Sequence, residues 1–319
     1  MYGPKGITRF DLNNEGVAEF SDDTQMSLFT ANGFLNAIED SRKHGFAYWP
    51  AKYIRQAYIE WYYTQCKIYG FLKHSTCRIS DIEALWNTRG SDMTCLQSLK
   101  NLSNGKRVAN DSKGNGSIMR TAPIAMLAAS QGFDIKYATQ LACDCARLTH
   151  LHPMGCLSAG LMTYVLYRIF EANGDLAPQQ LMDWTNENMH NDDGKRCYII
   201  MFPNHIHELR DKSRLVYELA LSYTPDLDVI NQFDGGWTGE DAWYISLFCS
   251  LRHIGNFEDA VVAAVNHSGD SNSTGAITGD LMGAIHGYSA IPEYYKAKLE
   301  LHDVIIKMAD DLYTGEIRN

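Results

Sequence analysis

Two short stretches at opposite ends of the chain carry oxygen donors in a pattern suited to hard cations. The first is "FSDDTQMSLFTANGFL", Phe20 to Leu35, where Ser21, Asp22 and Asp23 open an amphipathic run. A hydroxyl and two adjacent carboxylates are good ligands for a hard divalent ion. Neighbouring side chains at a helix start diverge, so they serve two ions more naturally than they chelate one. The same residues also read as a serine N-cap followed by two acids at the positive end of a helix dipole. The second stretch is "HSGDSNSTGAITGDLMGAIHG", His267 to Gly287, with Asp270, Asn272 and Ser273 just before another helix. Their i, i+2, i+3 spacing lets a turn aim several oxygens at one point. Ser271 or Ser273 as an N-cap is the competing reading. If the two clusters meet, they make a divalent-metal centre.

Three further stretches place polar groups or glycines ahead of a helix. In "SKGNGSIMRTAPIAML", Ser112 to Leu127, Gly114 and Gly116 permit positive φ and open the backbone to a phosphate or a ribose edge. An ordinary turn is the alternative. In "LTHLHPMG", His150 and His152 stand at i, i+2 and share no helix face, so they are not a zinc pair. In "DGGWTGEDAW", Gly235, Gly236 and Trp237 precede a helix as a stacking platform for adenine or ribose, or as a hydrophobic staple.

The elements that must position these groups are helices. Apolar residues recur at helical spacing near 25–40, 51–70, 80–87, 93–102, 118–131, 134–148, 156–173, 178–189, 208–222, 239–255, 258–267, 273–287 and 292–313. The run at 156–173 is apolar on most sides and reads as a buried helix. Strand-like alternation is confined to a short extended piece at "CYIIMF", 197–202. No βαβ alternation and no internal repeat is present. Gly275, Gly279, Gly283 and Gly287 recur every fourth residue, on one helix face. Each costs roughly 1 kcal/mol against alanine, which predicts a central helix approached closely by another backbone. The breaks at 104–117, 190–195 ("HNDDGK") and 231–239 are too short for domain linkers. The "HIHE" run, 205–208, reads as loop or helix-start residues. The expectation is one all-α domain over 1–319.

Composition sets outer bounds. The chain has 319 residues, 45% of them hydrophobic, and a net charge of −10. That acidity argues against a nucleic-acid partner, which needs basic patches. The eight cysteines form no C-x-x-C pair and sit mostly among apolar residues, as in "LFCSL" around Cys249. Buried free thiols in a reducing compartment are the expectation. The start, "MYGPKGITRF", has no apolar signal core, and no run approaches a membrane span. A soluble cytoplasmic protein with no membrane contact follows.

Taken in order, "SDDTQM", "GNGSIMR", "THLHP", "GGWTGEDA" and "HSGDSNSTGAITG" resemble the ADP-ribosylglycohydrolase family, over about Tyr2 to Leu312. That family includes the dinitrogenase-reductase-activating glycohydrolase and the ADP-ribosylarginine hydrolases. The serine of "SDDT" and the "HSGDS" stretch are similar to the ADP-ribosylarginine branch. The resemblance implies an all-α bundle with a central pair of Mg²⁺ or Mn²⁺ ions, and cleavage of the bond between the anomeric ribose carbon and a modified protein. By motif position, it implies metal ligands at Ser21, Asp22, Asp23, Asp270, Asn272 and Ser273. It implies phosphate and ribose contacts from Gly114, Asn115, Gly116, Ser117 and Met119, and places His150 near the diphosphate. Gly235, Gly236 and Trp237 line the cleft. Asp22 or Asp23 would position or activate the attacking water, and nearby negative charge would favour an oxocarbenium-like transition state.

Two departures from the family pattern stand out. The second cluster usually reads G-D-[ST]-D-[ST], whereas Asn272 stands here at the fourth place. An amide oxygen ligates without charge, so at least one ion is held more weakly and fewer than two is the alternative occupancy. The family's first helix, with a G-D-A-x-G-x-P-x-E type motif and an active-site glutamate, has no match; Glu15 and Glu19 lie in a different context. Its absence would leave apolar surface open on the bundle. The functional expectation is a hydrolase acting on ADP-ribosylated protein, with arginine as acceptor and ADP-ribose as product. The rival is an impaired relative that binds ADP-ribose or a protein partner without turnover, for example an immunity or regulatory protein.

Overall fold

Helix α1, Asp22–His44, starts where Ser21 leaves extended backbone and stops at Gly45, whose φ of 74° lets its N–H close onto Ser41 O. Glycine is the residue that tolerates this left-handed stop. Along α1, Met26, Phe29, Phe34 and Leu35 are buried to 1% exposure or less. The helix crosses α2, Ala51–Gln65, at Gly33, where a Cβ would lie 2.7 Å from the Ile54 Cα. The computed structural model describes residues 6–188 and 202–318.

The next helices are α3, Met93–Ser103; α4, Ala122–Ser130; α5, Ile135–Ala146; and α6, Pro153–Glu171. Helix α6 is buried on nearly every side, as its apolar run requires, and packs on α4 and α5. After α7, Pro178–Asn188, come α8, Pro203–Leu221; α9, Asp226–Ile230; α10, Gly239–Arg252; and α11, Phe257–Val265. Helix α12, Ser271–His286, contacts α1, α6, α10 and α11. The chain ends through α13, Glu293–Lys296, and α14, His302–Thr314. One apolar cluster runs from Phe20 to Leu312 through these helices. Among the described residues there are only isolated bridges and no strands: Ala18 with Leu299, and Gly114 with Thr238.

Most helices expected from periodicity are found, with four differences. The 80–87 run is only a 3₁₀ turn, Glu83–Trp86, and α4 begins at Ala122 because Asn115–Ser117 forms its own 3₁₀ turn. The 292–313 run is two helices. Between them the Ala18 N–H donates to Lys298 O at 2.8 Å and Glu300 N–H donates to Ala18 O at 3.0 Å, while Leu301 takes φ 52°. Pairing with a distant segment outcompetes helix there. The fourth difference is α9, a short helix between the expected 208–222 and 239–255 runs where none was expected. The "HIHE" run falls in the first turns of α8, as expected of helix-start residues. "HNDDGK" and most of "CYIIMF" lie outside the described residues, as does Cys197. The seven described cysteines carry no disulfide, and all but Cys66 are buried.

The glycine face of α12 needs a correction. Among the described residues no backbone packs against it. A Cβ on Gly275 would meet the Val265 side chain at 2.6 Å, but one on Gly279, Gly283 or Gly287 would meet nothing within 4 Å. Gly287, at φ 75°, ends the helix. The close approach lies just before α12, where a Cβ on Gly269 would stand 2.0 Å from Gly235 O. Gly279→Ala and Gly283→Ala should therefore each stabilise the chain by roughly 1 kcal/mol through helix propensity. Gly275→Ala should not. Thermal unfolding of the three variants checks this, and a loss of stability in the first two would show that this face is packed after all.

Candidate active site

The first and last thirds of the chain meet at Asp23. Its carboxylate is 1% exposed, so its oxygens need partners. Ser273 Oγ donates to Oδ1 at 2.8 Å, and Asn272 Nδ2 and Ser21 Oγ donate to Oδ2 at 2.8 and 2.5 Å. Ser21 therefore does not cap α1 with its side chain; its hydroxyl is spent on Asp23. Ser273 is likewise turned onto Asp23, and Asp270, not a serine, occupies the N-cap position of α12. In both places the serine hydroxyl is oriented as a donor to the buried carboxylate, a charge-assisted bond stronger than a neutral cap.

Asp22, also buried, lies beside this cluster, and its N–H donates to Arg89 O at 3.0 Å. Burial, and after it the neighbouring Asp23 charge, push the Asp22 carboxyl up to about 7; the Asp92 N–H works against this and Asp270 adds to it. Asp270 is raised as well, by burial and by Asp23, against a hydrogen bond from Asn115. The six oxygen-bearing residues expected as ligands thus come together. Their donor set is all oxygen, with like charges held at one another's expense, which is the chemistry a hard divalent ion relieves.

The glycine loop is fastened to the second cluster. Asn115 Nδ2 donates to Asp270 Oδ2 at 2.6 Å and to Gly236 O at 2.8 Å, and its N–H donates to Trp237 O at 3.1 Å. Asp270 N–H in turn donates to Gly235 O at 2.8 Å. Three loops, at 114–117, 234–238 and 269–273, are joined in one unit. Gly235 and Gly236 have φ of 67° and 75°, so these two glycines supply the turn. The Trp237 side chain is 58% exposed, which suits a stacking surface.

Gly114 and Gly116 are required for a different reason from the one expected. Gly114 has φ −55°, and neither takes a positive φ. Instead, a Cβ on Gly114 would come within 3.1 Å of His150 Nε2, and one on Gly116 within 3.1 Å of His150 Cε1. His150 is fully buried beneath the loop, so it supports the loop from below and presents no surface to a diphosphate. His152 has separate work: its Nδ1 accepts from Met154 N–H and caps α6. Ser117 is also fully buried, and its hydroxyl donates to Gly114 O at 2.8 Å. Met119 turns away from the loop, with its sulfur 3.9 Å from Ser273 Oγ.

Behind Asp23 an apolar groove of about 400 Å³ runs past Leu28, Met119, Met126, Phe170 and Met308, with Asp280 at its head. Asp280 was not singled out in the sequence. It stands seven residues after Ser273, two helical turns on, so the spacing placed it on the same face. Burial, and then the Asp23 charge, push its carboxyl up to about 8.

The sequence profile of the ADP-ribosylglycohydrolase family matches residues 2–319. The chain belongs to the ADP-ribosylglycohydrolase family. It is 33% identical over 78 residues to ADP-ribosylhydrolase ARH1 of Dictyostelium discoideum, covering 24% of this chain and 20% of that protein. It is 40% identical over 58 residues to ADP-ribosylarginine hydrolase Tri1 of Serratia proteamaculans (strain 568), covering 18% of this chain and 16% of that one. The matched parts thus span a fifth or less of either relative's length. A solved ADP-ribosylglycohydrolase-related protein complex shares the fold, with TM-score 0.57 at 21% identity, over 92% of this chain and 81% of that one. Among the described residues no helix is long and apolar enough to cross a membrane.

The raised Asp280 carboxyl makes a stability prediction. The folded chain keeps this proton up to about pH 8, whereas the unfolded chain releases it near 3.8. Stability from this group is full below the unfolded value and is lost as pH rises toward 8. Asp280→Asn mimics the protonated form. Its melting temperature, without divalent ions, should equal that of the parent near pH 4 and exceed it above pH 8, by roughly 2–4 °C per kcal/mol recovered. A constant difference across pH would mean Asp280 is not desolvated.

Proposed function

We propose that this protein is a metal-dependent hydrolase that removes ADP-ribose from modified proteins, with arginine as the acceptor side chain. The observation that carries the reading is the meeting of Ser21, Asp22 and Asp23 with Asp270, Asn272 and Ser273 around the buried Asp23 carboxylate, with Asn272 on the open side. Family membership supports the hydrolase class, and similarity to the Serratia ADP-ribosylarginine hydrolase supports arginine.

The all-oxygen cluster suits Mg²⁺ or Mn²⁺, which Asp22, Asp23, Asp270, the Ser21 and Ser273 hydroxyls and the Asn272 amide oxygen would hold. When bound, such ions supply positive charge that orients the ribose hydroxyls and a reacting water. The chain's own residues do the rest. Asp22 has fewer side-chain donors on it than Asp23 and is the carboxylate that takes the water proton. The negative charge of Asp23 and Asp270 favours the cationic sugar carbon of the transition state. Asn115 and Gly235 hold Asp270 in place, and Trp237 offers an aromatic face at the loop edge. Pre-set geometry of this kind is worth several kcal/mol of barrier.

Incubating the chain with an arginine-ADP-ribosylated protein and Mg²⁺ should release free ADP-ribose, and chelation should stop it. Asp22→Asn should lower the rate by about 10²–10⁴-fold while the fold is kept. Absence of release from the parent chain, with ADP-ribose still bound, would support the impaired-relative reading instead. The Asn272 amide favours that rival, because it donates to Asp23 at the place where a carboxylate would demand a cation.

Asn272→Asp separates the two readings further. Removing the donor and adding a charge beside Asp23 should lower the melting temperature of the metal-free chain. Saturating Mg²⁺ or Mn²⁺ should restore it, with ion affinity above that of the parent. If calorimetric titration shows equal ion affinity in parent and variant, residue 272 does not face the ions.

A further inference from the structure

A second cluster of ligating side chains lies under the glycine loop, distinct from the oxygen-rich one. Asp92 is the N-cap of α3 and Cys95 lies three residues on, so one helix start presents both; His150 comes from the turn before α6. One ligand atom from each lies within 4.8 Å of the other two. Cys95 and His150 are fully buried. His150 Nε2 has no hydrogen-bond partner, although it faces Asp92 Oδ2 at 3.4 Å. A buried ring nitrogen that meets a carboxylate at 3.4 Å outside good hydrogen-bond geometry is only partly satisfied. The space between the three groups is also unusual. A Cβ on Gly116 would stand 3.0 Å from Cys95 Sγ, 3.2 Å from Asp92 Oδ2 and 3.1 Å from His150 Cε1, and glycine leaves that point unfilled.

We propose that Asp92, Cys95 and His150 bind one soft divalent cation of the Zn²⁺ class beneath the glycine loop. A thiolate, an imidazole and a carboxylate form a mixed donor set that selects such an ion over Mg²⁺. Ligand separations below 4.8 Å suit an ion with bonds of about 2.0–2.3 Å to each donor, after small side-chain shifts.

The surroundings supply the outer contacts that a ligating histidine needs. His150 Nδ1 lies 2.8 Å from Thr149 Oγ1. Donation from Nδ1–H to that hydroxyl leaves the Nε2 lone pair facing Cys95 and Asp92. The hydroxyl is fixed in turn by Arg120, whose Nη2 donates to it at 2.6 Å. Arg120 Nη1 also donates to Cys95 Sγ at 3.5 Å; burial pushes the free thiol up to about 12, and the guanidinium offsets only part of that, so the thiolate forms with the metal bond. Three bonds form, from Cys95 Sγ, His150 Nε2 and an Asp92 oxygen to the ion, which sheds water ligands in exchange, and the Cys95 thiol gives its proton to solvent. Binding therefore tightens as pH rises. Because Asp92 also sends its N–H to the Asp22 carboxylate, the ion would brace the joint between α3, the glycine loop and the oxygen cluster. The inference does not depend on the hydrolase reading.

The test uses the full chain, stripped of metal, with Cys66→Ser and Cys197→Ser to remove thiols outside the described core. Co²⁺ serves as the spectroscopic stand-in for Zn²⁺, in saturating Mg²⁺ that occupies the oxygen cluster. The expected result is one Co²⁺ per chain with a thiolate-to-metal absorption band in the near ultraviolet, displaced by Zn²⁺. Cys95→Ser should abolish the band, and Asp22→Asn should keep it. His150→Gln should weaken Co²⁺ binding at least about tenfold, and it provides the same test should Cys95→Ser fail to fold. No band in the parent, a band that survives Cys95→Ser, or unchanged affinity in folded His150→Gln would each overturn the proposal.

Discussion

The structure turns on one buried carboxylate. Asp23 is almost wholly withdrawn from water, and an ionised acid in that position is tolerated only with donors around it. Those donors come from residue 21 and from residues 272 and 273, about 250 positions away. Satisfying Asp23 therefore closes the helical bundle and sets the N-terminal ends of α1 and α12 against each other. The raised Asp22, Asp270 and Asp280 carboxyls follow from the same confinement, since each sits in low dielectric and feels Asp23.

Around this point the loops act as one piece. Asn115 ties the glycine loop to Asp270 and to Gly236, and Gly235 accepts from the Asp270 amide. His150 fills the space under Gly114 and Gly116 that any side chain at those positions would take. Below it, Arg120 is fully buried, donates to Thr149 and Cys145 O, and lies over the Tyr58 ring at 4.4 Å. A charged group so enclosed needs every contact it has, which makes it a fixed base for the loop above. Rigid placement of several loops by a packed helical base is what the proposed hydrolysis at a sugar carbon requires.

Several features were legible in the sequence because they depend on local periodicity or on residue type. The long helices follow from apolar spacing, and α6 reads as buried because it is apolar all round. The Ser-Asp-Asp and Asp-Ser-Asn-Ser stretches announce themselves as oxygen donors. Other features were not legible. The break at 297–301 comes from pairing with Ala18, a contact without a local signature. The four spaced glycines suggested tight packing, yet three of them border open space, because spacing records which face a residue occupies and not what lies opposite. Asp280 needed the groove to be seen, and Asp92 and Cys95 read as an ordinary helix start until His150 arrives between them.

By itself, then, the sequence determined an all-helical chain of the ADP-ribosylglycohydrolase family and the residue types available for chemistry. Helical period and donor identity are properties of a few neighbouring residues, so they survive in one dimension. Tertiary structure decided which donors face one another, that the serines serve Asp23 and not their own helices, and that His150 is buried beneath the loop. Those outcomes depend on desolvation and on steric exclusion between segments up to 250 residues apart, and neither force is written in the spacing of any single stretch.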